Sequence, residues 1–181
     1  MARIGLQNIK YAILNDTETY GTAKSIGKAV SCAVSLNLNS AELYADDALA
    51  ESDYTFASGT ATLTIANDDD IVMAELLGRT IGTDGEIIRT NTDVAPFVGL
   101  GRIITKIVNG AYKYKVEFLS KVKFQDTMPD ENTKGASVEF GTTQIEGTVA
   151  VLSDGTWSKT NTFDTMASAQ AYLDSCFAPT V

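Results

Sequence analysis

The sequence predicts a mainly β protein of the α+β class: a β-sandwich or partly open barrel of antiparallel strands, with a short flanking helix and a C-terminal helix. Three observations predict it. Two segments alternate apolar and polar residues with period two, Asn109-Gly110 lies between two longer alternating runs, and helix signals are confined to two short stretches. At 181 residues the chain can bury a core without disulfides or metals, and it reads as one domain spanning 1–181.

In chain order, residues 28–39 place Val30, Cys32, Val34, Leu36 and Leu38 on one side and Ser31, Ala33, Ser35, Asn37 and Asn39 on the other, which predicts a half-buried strand. Thr60 to Ile65 turns Ala61, Leu63 and Ile65 inward and three threonines outward, as in a sheet exposed on one face. Between them, 40–57 mixes acids with Leu43, Tyr44, Leu49, Tyr54 and Phe56. It is too long for a tight turn and too apolar for a plain linker, and is expected to be a long loop. Asn67-Asp68-Asp69-Asp70 supplies cap candidates for a short helix over 71–77 that stops at Gly78. Thr83-Asp84-Gly85 suggests a small hairpin, and Ala95-Pro96 an extended entry into the next strand.

The run Phe97 to Phe124 carries the strongest local signal, since Asn-Gly supplies the two positive φ angles of a two-residue hairpin turn. That turn sets Val108 opposite Ala111, Ile107 opposite Tyr112, Thr105 opposite Tyr114, Ile103 opposite Val116 and Gly101 opposite Phe118. On the other face Lys106 meets Lys113, Ile104 meets Lys115 and Arg102 meets Glu117, a mostly basic stripe. Like charges directly opposite are unfavourable unless something negative covers them. The stripe is either a solvated sheet face or a surface that docks on acidic residues of a neighbouring copy. After a polar loop over 126–135, strand character returns between Ser137 and Leu152 with Val138, Phe140, Ile145, Val149 and Val151. Ser153-Asp154-Gly155 then turns the chain into Trp157 to Phe163, and Asp164 is placed to cap a helix with Met166, Ala169, Leu173, Cys176 and Phe177 on one face.

Composition narrows function. With 14 basic against 23 acidic residues the net charge is −9, unsuited to gripping nucleic acid, and the absence of histidine removes the usual general base and the commonest metal ligand. Cys32 and Cys176 read as buried free thiols. The opening residues lack the apolar core of a secretory signal and no stretch approaches a membrane span, so a soluble protein made in a cytoplasm is expected. Gly99-Leu100-Gly101 lacks the third glycine of a dinucleotide fingerprint and lies in a strand pattern. Asp68-Asp69-Asp70 lacks the glycine and distal glutamate of a calcium loop. No catalytic, cofactor-binding or metal site is expected, and the chain reads as a non-enzyme.

Several segments together resemble the phi13-type major tail protein family of tailed bacteriophages. They are Ala2 to Leu6, Leu43 to Asp53, Val94 to Arg102, Tyr112 to Phe118, Val138 to Thr143 and Phe163 to Thr165, spread over nearly the whole chain. The resemblance implies a structural subunit of a siphophage or prophage tail, made in the host cytoplasm and housed in the virion. It would self-assemble into six-membered rings stacked as a tube, alongside other tail proteins. A ring of six copies at −9 each carries about −54 formal charges, a lumen that lets double-stranded DNA pass without holding it. The resemblance makes 40–57 an assembly loop. Asp46, Asp47, Glu51 and Asp53 are its contact or lumen candidates, and Arg102, Lys106, Lys113 and Lys115 are subunit-contact candidates. The competing readings are an inner-tube subunit of a contractile phage-like particle and, from another class, a β-sandwich ligand-binding module.

Overall fold

The computed structural model describes residues 2–45, 48–66, 69–126 and 141–178, with the backbone alone for 43–45 and 48–51. The strands are β1 (Ala2–Ile13), β2 (Lys24–Ser25), β3 (Ala29–Ala45), β4 (Ala48–Ile65), β5 (Thr80–Ile81), β6 (Ile87–Ile88), β7 (Phe97–Val108), β8 (Ala111–Phe124), β9 (Thr143–Ala150) and β10 (Ser158–Phe163); the helices are α1 (Asp70–Leu77) and α2 (Met166–Phe177). The fold is mainly β with two helices, as the alternation predicts.

One antiparallel sheet runs in the order β2-β1-β7-β8-β9-β4-β3, and β10 also joins β8. The far edge of β8 is shared: β10 takes Tyr114 to Leu119 and β9 takes Lys121 to Phe124. The sheet curls until β3 returns beside β1. No ladder joins β1 to β3 among the described residues, and the Arg102 guanidinium reaches across to the Cys32 carbonyl instead. The result is a partly open barrel.

Its inner face is filled by Tyr11, Leu63, Ile65, Leu100, Val122, Phe124 and Ile145, with Met73, Leu76 and Leu77 of α1 packed in. Asp69 caps α1 by accepting from the Ile71 N–H at 3.0 Å, and Gly78 ends it at φ 68°, which an L side chain resists. The opposite face of β7 and β8 carries Ile103, Val116 and Phe118 beneath Ala169, Leu173 and Phe177 of α2. Phe118 meets Tyr20 and Phe177 edge-on at centroid distances of 5.4 and 5.0 Å. The Gly99-Leu100-Gly101 run belongs to this contact: a Cβ on Gly99 would collide with Tyr20, and one on Gly101 with Leu173. These glycines let an aromatic ring and a helix lie flat on the sheet.

The β7–β8 register has every pair expected from the Asn109-Gly110 turn, with φ of 50° and 78° at the two turn residues. Two expectations change, and β1 is a strand for which none was stated. The cap of α2 is Thr165, whose side chain accepts from the Ser168 N–H; Asp164 pairs with Lys113 instead. β1 had no period-two signal, because register shifts between Arg3 and Gly5 and between Gln7 and Lys10 break the alternation. The segment 40–57, expected as a loop, is largely two strand arms. Val138, Phe140 and most of the polar loop over 126–135 lie outside the described residues.

Candidate self-assembly surface

The β3–β4 hairpin outruns the sheet that supports it. β4 pairs with β9 only between Gly59 and Ile65, whereas it pairs with β3 from Ala29 opposite Ile65 out to Ala45 opposite Ala48. About ten residues of each strand therefore form a two-stranded arm, roughly 30 Å long at the rise of a β-strand. Strand ladders explain the correction to the loop expectation: register shifts at Asn37/Leu38 and Leu43/Tyr44 interrupt the period-two pattern, but cross-strand pairing continues through them.

The base of the arm is anchored by Phe56, stacked on Trp157 at 4.5 Å with 3° between the rings. Further out, little is covered. Leu38 and Tyr54 are 51% and 57% exposed, and both edges of the arm lack strand partners among the described residues. A lone two-stranded ribbon is marginal in water, and unpaired N–H and C=O groups invite another chain. On the arm's opposite face Asp53 lies opposite Ala41. Asp53 is exposed; the side chain of Glu51, and all of Asp46 and Asp47, lie outside the described residues.

The basic stripe is mostly neutralised within its own chain. Arg102 donates from Nε and Nη2 to Glu117 at 3.0 and 2.6 Å, and Lys115 donates to the other oxygen of the same carboxylate. Burial works against charge on Glu117, but the hydrogen bonds from Lys115 and Arg102 outweigh it and hold the carboxyl below its usual range. This cluster lines a cleft of about 310 Å³ together with Arg3, Val34 and Trp157. Lys113 is paired with Asp164. Three of the four cations expected to meet another subunit thus have carboxylates at home, which is what makes their close spacing tolerable.

Lys106 is different. Burial, then Lys115 and Arg3, push its ammonium below the usual lysine value, and among the described residues no carboxylate lies within ion-pair distance. Sequence reasoning missed Arg3, which lies directly opposite Lys106 on β1 as Lys113 does on β8. Only the β1–β7 register reveals this row, and the bulges of β1 hide that register from a local pattern search.

Among the described residues no three His, Cys, Asp or Glu side chains come together as a metal site, and no helix is long and apolar enough to cross a membrane. What the arrangement can do is present charge, apolar surface and open strand edges. The chain matches no protein-family model and no curated protein.

Proposed function

We propose that the protein is a self-assembling structural subunit of a phage tail tube, forming stacked hexameric rings whose acidic channel conducts double-stranded DNA. The observation that carries this reading is the β3–β4 arm, which projects beyond the sheet with open edges and exposed Leu38 and Tyr54. A partner strand would satisfy those edges and cover that surface. Two further points support it. The Leu43 to Asp53 segment of the family resemblance falls on the arm, and among the described residues β1 has no outer ladder partner except where β2 pairs with Lys10 and Tyr11. The arm runs on past the place where β3 lies beside β1, which leaves edges free for head-to-tail closure into a ring. The protein acts in the virion tail, is made in the bacterial cytoplasm, and needs neither cofactor nor catalytic residue.

Electron microscopy of the concentrated, purified protein tests this. Rings or tubes are expected, and replacing residues 39–55 by a short glycine-serine turn should leave a folded monomer with no assemblies. A wild-type protein that remains monomeric at every concentration would overturn the reading and favour a ligand-binding module.

A further inference from the structure

The inner face of the barrel changes character along β7 and β8. Leu100 and Leu119, paired across the hairpin, belong to the core, whereas the next positions on that face are Arg102 with Glu117 and then Ile104 with Lys115. The cleft of about 310 Å³ opens at this basic end, closed on its other sides by Val34 and Leu36 of β3 and by Ser158 and Thr160 of β10. Arg3 of β1 stands at its rim. Mouths of β-barrels are frequent seats for small ligands, which need an apolar wall and a few convergent polar groups.

The cleft supplies both. Arg102 and Lys115 share the one carboxylate of Glu117, which leaves a positive charge over, and Arg3 adds a second because it has no ion pair among the described residues. Burial and then the charges of Lys115 and Arg3 hold the neighbouring Lys106 ammonium below the usual lysine value, so this field is not cancelled at home. Both oxygens of Glu117 are already engaged. Lys115 gives it one of three N–H donors and keeps two for a ligand.

We infer that this cleft binds a small organic phosphate monoester, its dianionic head held by Arg3 and Lys115 and its apolar body lying against Leu36 and Trp157. The site goes beyond the tube-subunit reading and does not depend on it. Charge argues for the head: an excess of two cations suits a dianion better than a single carboxylate, and the guanidinium fork matches phosphate oxygens. The hydroxyls of Ser158 and Thr160 add donors of the kind phosphates accept. Size argues for the body. A cleft of about 310 Å³ admits a head with a short chain and is too small for a duplex or a folded partner.

The chain has one tryptophan, Trp157, and it lines the cleft, so its fluorescence reports occupancy. The test is a titration of the full chain with hexyl phosphate at constant ionic strength, with inorganic phosphate and hexanol as probes of head and body alone. A saturable change is expected with hexyl phosphate, and inorganic phosphate should compete with it at higher concentration. Arg3→Gln, at an exposed position where the fold tolerates the change, should weaken hexyl phosphate roughly tenfold. Leu36→Ser, at a side chain 45% exposed, should weaken it roughly fivefold and leave inorganic phosphate unaffected. No saturable change up to roughly 10 mM hexyl phosphate overturns the inference, as does equal binding by wild type and Arg3→Gln. Hexanol binding as well as hexyl phosphate would mean an apolar hollow without an anion seat and overturns it too. Duplex DNA held by wild type and lost by Arg3→Gln, with hexyl phosphate inert, would reassign the cations to nucleic acid. The readout does not involve assembly, so failure of the tube reading leaves this site standing.

Discussion

The β7–β8 and β3–β4 hairpins are both long antiparallel pairs, yet they play opposite parts. β7–β8 is covered on both faces except near its turn, by α1 and the curled sheet on one side and α2 on the other, and it has ladder partners on both edges. β3–β4 is covered only near its base, and its outer part exposes Leu38, Tyr54 and Asp53 and has both edges open among the described residues. Pairing alone therefore does not make a hairpin part of a core. The surroundings decide whether the same ladder lies in the core or projects from it.

Truncations should separate the two hairpins most sharply. Phe118→Ala removes a ring that is fully buried against Tyr20 and Phe177, and should cost about 3–5 kcal/mol in denaturant unfolding. Glu117→Gln comes next. It leaves Arg102 and Lys115 half-buried without their carboxylate and should cost roughly 3 kcal/mol. Glu117 also sets a pH dependence. Its folded value is lowered, so its contribution is complete above the unfolded glutamate value near ~4.3 and is lost as pH falls through the folded value. Acid titration of the melting temperature should show that loss in wild type and a smaller one in the glutamine variant.

Gly110→Ala forces an L side chain to φ 78° in the turn and should cost about 1 kcal/mol. Smallest is Leu38→Ser, at a side chain already half exposed on the arm, which should move monomer stability by no more than about 0.5 kcal/mol. The same variant should nonetheless impair ring formation. Equal losses of monomer stability from Leu38→Ser and Phe118→Ala would erase the distinction between the two hairpins.

Much of this was legible locally. Asn109-Gly110 predicts the register of eighteen residues, out to Leu100 opposite Leu119 where a bulge shifts it, because a two-residue turn fixes how the flanking strands align. Gly78 and the acids before Ile71 mark α1 because helix ends are satisfied by residues within one turn. Of the expected contact residues, Asp53 was found exposed on the arm, whereas Arg102, Lys113 and Lys115 had intrachain partners that no local pattern could supply. Glu117 could be placed opposite Arg102, but its second partner follows only once the side chains share a cleft. Asp164 reaches Lys113 only because β10 lies along β8.

By itself the sequence determined the strand alternation, the helix stops, the central hairpin and the excess of acid, all set by interactions between near neighbours. The tertiary structure decided that 40–57 forms an arm, that two glycines in β7 make room for Tyr20 and α2, and that Arg3 stands beside Lys106. Each of these depends on ladders between strands far apart in the chain, where a bulge or a missing neighbour changes what is buried and leaves the local pattern almost unchanged.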